Sequence, residues 1–114
     1  RSHLIGDYSN VKEIVCVEDI ISAHKVAASG ACCLPLFGTN VHDCHLKTLR
    51  YIGLPVVMWL DVDQKALAAK RGHRLSVLLG KPVRNLFTES DPKELPLTDI
   101  RMLLGGSKTP LEVP

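Results

Sequence analysis

Apolar positions along the chain come in short unbroken runs that alternate with segments of helical spacing. KEIVCVED (12–19) is apolar from Ile14 to Val17 and then ends in two acids. Its length and β-branching predict a strand buried on both faces. DIISAHKVAASG (19–30) follows with Ile20, Ala23 and Ala27 on one face, Ile21 and Ala28 on the neighbouring one, and Gly30 as a stop. That pattern predicts a helix with a glycine C-terminal signal. ACCLPLFG (31–38) is a second strand, and Pro35 makes it an edge strand or marks its end, because proline cannot donate to a ladder. GTNVHDCHLKTLRYIG (38–53) opens with loop chemistry, then sets Leu46, Leu49 and Ile52 at helical spacing before Gly53. LPVVMWLDVD (54–63) is the third strand.

QKALAAKRGHRLSVLLG (64–80) is a long amphipathic helix, with Ala66, Ala69, Leu75, Leu78 and Leu79 as its apolar set and Gly72 as a weak interior point. KPVRNLF (81–87) is a less apolar fourth strand. TESDPKELPLTD (88–99) is a polar, proline-punctuated loop, and Thr98 is positioned to cap a short helix, DIRMLL (99–104), closed by Gly105-Gly106. SKTPLEVP (107–114) has the composition of a linker. Strands alternating with helices predict an α/β fold with a parallel sheet covered on both faces. The expected organisation is an extension or cut edge over 1–11, one domain over 12–106, and a tail over 107–114.

Composition changes this picture little. The 114 residues are 46% hydrophobic with a formal net charge of +2, ordinary for one globular domain. The charge is too mild to name a nucleic-acid partner. No apolar run approaches the roughly 20 residues of a membrane span, and none reads as a signal peptide. The expectation is therefore a cytoplasmic protein with no membrane partner. Cys16, Cys32, Cys33 and Cys44 read as reduced thiols, since adjacent Cys32-Cys33 suits a disulfide framework poorly. With 4% aromatic residues, a stacking platform for single strands is not expected.

The acids are the candidate chemistry. In an open parallel sheet, ligands bind outside the carboxyl ends of the strands. Glu18 and Asp19 follow strand 1, Asp61 and Asp63 close strand 3, and Asp91 follows strand 4. In the order 2-1-3-4, strands 1 and 3 are neighbours and Glu18 meets the aspartate pair at the switch point. Positions i and i+2 of an extended segment share a side, so Asp61 and Asp63 can serve one site. Oxygen-only ligands select Mg²⁺ or Mn²⁺. The plainer alternative is that acids after strands are helix N-caps, a role that suits Asp19 better than ligation and would also suit Asp63.

VCVEDIISAHKV, LPLFGT, VVMWLDVDQKA and SDPKEL, in that order and spacing, resemble the Toprim domain of primases, topoisomerases, OLD-type nucleases and RecR-type proteins. V-E-D with S-A-x-K-V is most similar to phage-type DNA primases and primase-helicases. The resemblance spans about residues 12–104 and implies a Rossmann-like three-layer α/β/α fold with a four-stranded parallel sheet. It implies Glu18, Asp61 and Asp63 as catalytic metal ligands, Asp91 as a further metal-linked acid, and Gly38 as the close-passing glycine after strand 2. It implies Mg²⁺ or Mn²⁺ as cofactor and nucleotidyl transfer for RNA primer synthesis, with DNA template and NTPs as partners. A zinc module and a helicase are the companion domains expected elsewhere in such a polypeptide, in a host cytoplasm if phage-encoded. Two departures stand out: Glu18 is followed by Asp19 where the family has glycine, and the glycine usual after D-x-D-x-A is missing.

Lys70, Arg71, Arg74, Lys81, Arg84 and Lys93 form a basic band along the sequence. Arg71, Arg74, Lys81 and Lys93 are candidates for phosphate contacts to NTP or template, against a plain solvated helix face. His42-Asp43-Cys44-His45 lacks regular zinc spacing, and helix-start polarity with Asp43 as a cap explains it better. The competing functions are a Toprim nuclease or topoisomerase-like domain, a non-enzymatic Toprim scaffold, and a receiver-like domain. Neither Tyr8 nor Tyr51 lies in a cleavage motif, the retained acids argue against a scaffold, and D-x-D with D-P-K-E suits a receiver poorly.

Overall fold

The computed structural model describes residues 4–37, 41–61, 63 and 65–104, with only the backbone of Asp61. Four strands alternate with four helices: β1 (Ile14–Val17), α1 (Ile20–Ala28), β2 (Cys32–Pro35), α2 (Asp43–Ile52), β3 (Val56–Asp61), α3 (Lys65–Leu79), β4 (Val83–Thr88) and α4 (Leu97–Leu104). The sheet is all parallel in the order β2-β1-β3-β4, as the alternation and the switch-point geometry predict. β2 is an edge strand and ends at Pro35. No helix among the described residues is long and apolar enough to cross a membrane.

The unbroken apolar runs are explained by burial on two sides. Ile14 and Cys16 of β1, with Val56, Met58 and Leu60 of β3, face one core shared with Leu49 of α2 and Ala68 and Leu75 of α3. Val15 and Val17, with Val57 and Trp59, face a second core shared with Ala23 and Val26 of α1 and Ile100 and Leu104 of α4. Successive strand residues point to opposite faces, so each run feeds both layers. Cys32 enters the first core and Cys33 the second, and all four cysteines are free.

Two helix phases differ from those expected. In α1 the buried positions are Ser22, Ala23 and Val26, while Ile21 is 63% exposed. In α3 they are Ala68, Gly72 and Leu75, and Ala66 and Ala69 are exposed. Gly72 is a close-packing point rather than a weak one. A Cβ there would lie 2.8 Å from Asn85 Oδ1, so any larger residue would have to displace the Asn85 side chain for α3 to settle on β4. α4 begins at Leu97, directly after Pro96, which puts Thr98 inside the first turn instead of at the cap. The closing Gly105-Gly106 and the 107–114 tail lie outside the described residues, as do Arg1, Ser2 and His3.

The 1–11 extension contributes to the fold. Ile5 exchanges two backbone hydrogen bonds of 2.8 Å with Cys33, antiparallel to the outer edge of β2. Leu4 packs on one core and Ile5 on the other. Gly6 makes the approach possible: its φ is +100°, and a Cβ would meet Ala31 O at 2.8 Å. Part of an open sheet edge is thereby covered.

Candidate functional site at the carboxyl edge of the sheet

β1 and β3 are adjacent, with Ile14 opposite Val56 and Cys16 opposite Met58. Continuing that register brings Glu18 level with Leu60, one residue short of Asp61. Glu18 and the start of the Asp61-Val62-Asp63 segment therefore leave the sheet side by side. Glu18 and Asp63 have no hydrogen-bond or ion-pair partner among the described residues. The side chain of Asp61 lies outside what is described, and so does Gly38.

Asp19 behaves as the cap that its position after β1 predicts. Its Oδ1 accepts from the Ser22 amide at 2.8 Å, and its backbone is extended ahead of α1. At the far side of the edge, Asp61 pairs in register with Thr88. Trp59 Nε1 donates to Thr88 Oγ1 at 2.8 Å, and that hydroxyl donates to Ser90 O at 2.6 Å. This relay gives the buried indole its partner and fixes the exit of β4. The chain then enters a 3-10 turn at Pro92–Glu94, with Asp91 in the preceding cap position.

Lys93 joins these two sides. Its ammonium lies 3.6 Å from Asp91 Oδ2 and 3.8 Å from Asp19 Oδ2. The acids of this edge thus fall into two groups. Asp19 and Asp91 share the charge of Lys93, whereas Glu18 and Asp63 are without a positive partner among the described residues. Asp91, a metal-linked acid by resemblance, is engaged with the lysine two residues on. Among the described residues, no group of three His, Cys, Asp or Glu side chains gathers closely enough to hold a metal ion. What Glu18 and Asp63 offer is hard oxygen donors, the kind that Mg²⁺ and Mn²⁺ take.

The basic band disperses in three dimensions. Lys81 precedes β4 and lies at the opposite, amino edge of the sheet, where its ammonium donates to Gly53 O. This placement sets Lys81 apart from the acids, because the two edges of a parallel sheet lie at opposite ends of its strands. Arg84 also serves the amino side, donating to Glu13 Oε2 at 3.0 Å and to Leu104 O at 3.2 Å. Arg71 and Arg74 lie on α3 beside α2, and Lys93 stands among the acids.

The His42–His45 segment starts α2. His42 is the N-cap and Asp43 the first helical residue, so Asp43 is not the cap. His45 Nδ1 accepts from the His42 amide at 3.0 Å, closing the first turn. An acceptor side chain three residues after the N-cap was the available sequence signal. Burial, and then His42, hold the His45 imidazole below its ordinary pKa. Burial pushes the thiol of Cys16 up to about 12 and that of Cys32 up to about 11, with Asp7 adding to the latter. Cys33 is raised well above the usual thiol range, again by burial first. These thiols stay protonated and act as small apolar core groups. Compared with known proteins, the chain matches no family model, no curated protein and no solved structure.

Proposed function

We propose that this chain is a Toprim-type catalytic domain that carries out metal-dependent nucleotidyl transfer, most like that of a phage-type DNA primase or primase-helicase. The observation that carries the reading is the adjacency of β1 and β3, which brings Glu18 beside the Asp61-x-Asp63 exit at the switch point of a parallel sheet. Glu18, Asp61 and Asp63 would hold Mg²⁺ or Mn²⁺. When bound, the ion neutralises charge on phosphate oxygens during transfer. The chain's part is to anchor the acids on the ends of rigid strands, so that orientation is set before substrate arrives. Asp91 acts through Lys93, fastening the 92–94 turn to the start of α1. DNA template and NTPs are the substrates of this reading.

Titration with Mn²⁺ and Mg²⁺ by calorimetry or NMR tests it, on the wild type and on Asp61→Asn/Asp63→Asn. The expected result is saturable binding that the double variant loses. A wild type that binds neither ion, with nucleotide present, overturns the catalytic reading. Primer-synthesis and strand-nicking assays then separate bond making from the nuclease-like alternative.

A further inference from the structure

The two outer strands of the sheet are finished differently. β2 is buried along its whole length, bonds to Ile5 on its outer side and stops at Pro35. β4 pairs with β3 in unbroken register over six residues, and none of the six is fully buried. Among the described residues, its backbone makes no hydrogen bond on the outer side. It holds no proline and no bulge, and its one charged side chain, Arg84, is drawn to Glu13 and Leu104 O. An edge of this kind is a template for another strand.

The helices above and below leave room for one. On α3, Lys65 lies over the Phe87 ring of β4. At about 100° per residue, Ala69 and Ser76 share that flank, while Arg71, Arg74 and Leu78 line the opposite one against α2. On α4, Arg101 reaches Ser29 O at the end of α1. Leu103 lies on the other side of the buried Ile100 and Leu104, toward the β4 edge, and is 37% exposed. Small side chains on the α3 flank let a second α3 approach to the roughly 8–10 Å of packed helices.

The ends and the middle of β4 select the strand that fits. Lys81 precedes it, and the exposed Glu89 follows it with no ion-pair partner among the described residues. A second β4 laid antiparallel sets each Lys81 beside the second copy's Glu89, whereas a parallel one sets like charges together. At the middle, Asn85 Oδ1 is buried without a hydrogen bond. In a register centred on Asn85, Val83 stands opposite Phe87 and Arg84 opposite Leu86. Asn85 then faces the Asn85 of the second copy, whose side-chain amide can donate to that oxygen.

We propose that β4 pairs antiparallel with β4 of a second copy, about a twofold axis through Asn85, joining two four-stranded sheets into one. The α3 flanks meet on one face of the joined sheet and the Leu103 side chains on the other. The pairing needs no metal and does not rest on the catalytic reading.

Sedimentation equilibrium of the full chain tests it. The expected result is a monomer–dimer equilibrium that Glu89→Lys weakens about tenfold, the effect of reversing two exposed charge pairs. Lys81→Glu should weaken it likewise, and an equimolar mixture of the two variants should restore it, because both ends regain opposite charges. Lys81→Glu also loses its bond to Gly53 O, so circular dichroism first checks that it is folded. A second readout does not depend on that variant. In a Cys44→Ser background, Asn85→Cys should form an intermolecular disulfide with oxidised glutathione, and Arg84→Cys, two residues out of register with itself, should not. The proposal is overturned if the chain stays monomeric at millimolar concentration, if Glu89→Lys dimerises as tightly as the wild type, if the folded variants gain nothing on mixing, or if Arg84→Cys crosslinks as readily as Asn85→Cys.

Discussion

The two edges of the sheet handle charge in opposite ways. At the amino edge, two cations have structural partners: Arg84 reaches Glu13 and Leu104 O, and Lys81 reaches Gly53 O. At the carboxyl edge, one lysine stands 3.6–3.8 Å from two acids, while Glu18 and Asp63 have no partner among the described residues. Charge at the amino edge holds elements together. Charge at the carboxyl edge is left over after the fold is satisfied, and that surplus is what makes it a candidate site. Like charges held close repel, so such an edge persists only where rigid packing beneath over-determines it. The packing there is Trp59, 1% exposed, tied through Thr88 to Ser90.

The largest expected effect tests that support. Trp59→Ala should cost about 3–5 kcal/mol in urea denaturation, from the cavity and lost burial. Trp59→Phe should cost only about 0.5–1.5 kcal/mol, the worth of one hydrogen bond. If the two variants are equally destabilised, the Thr88 relay rather than core volume holds the carboxyl edge.

Next comes a division within the acids. Asp19→Ala should cost about 1 kcal/mol by removing the α1 cap. Glu18→Gln should stay within about 0.5 kcal/mol of the wild type, since no partner is lost. Thermal melts of the pair decide it: a Glu18→Gln loss as large as that of Asp19→Ala would erase the distinction between structural and surplus acids.

At the amino edge the effect is smaller. Arg84 and Glu13 are partly exposed, so solvent screens their pair. Arg84→Met should cost about 0.2–1 kcal/mol, and the cost should shrink in high salt. A salt-independent loss would mean that the bond to Leu104 O matters more than the ion pair.

The smallest effect concerns pH at the start of α2. The folded-state pKa of His45 lies below its ordinary value of 6.5. Its contribution is therefore fully present above pH 6.5 and is lost as the pH falls through that value toward the folded-state pKa, because the unfolded chain takes up the proton first. Protonation also ends the acceptor role of Nδ1 toward the His42 amide. Stability measured on both sides of pH 6.5 should show this decline in the wild type and a flatter profile in His45→Gln.

Much of this molecule was legible in the chain because two signals were strong. Unbroken β-branched runs such as Ile14–Val17 can be accommodated only by a strand covered on both faces. Regular alternation with helices then leaves a parallel sheet as the simplest arrangement, and acids that follow strands must collect at its carboxyl edge. Asp19 as a cap was legible for the same local reason: its side chain needs only the amide of Ser22, three residues away. Helix phase was less legible where alanines dominate, since Ala66, Ala68 and Ala69 weigh equally in any apolar pattern and only contact with β3 and β4 selects Ala68.

What the sequence by itself determined was the set of elements, their order and the edge to which the carboxylates belong, because these follow from local periodicity and from chain direction. Tertiary structure alone decided the partners. It sent Lys81 and Arg84 to one edge and Lys93 to the other, turned Gly72 into the contact point for Asn85, and laid Ile5 against the edge of β2. Those outcomes depend on which residues meet across long separations in sequence, and neither spacing nor composition encodes that distance.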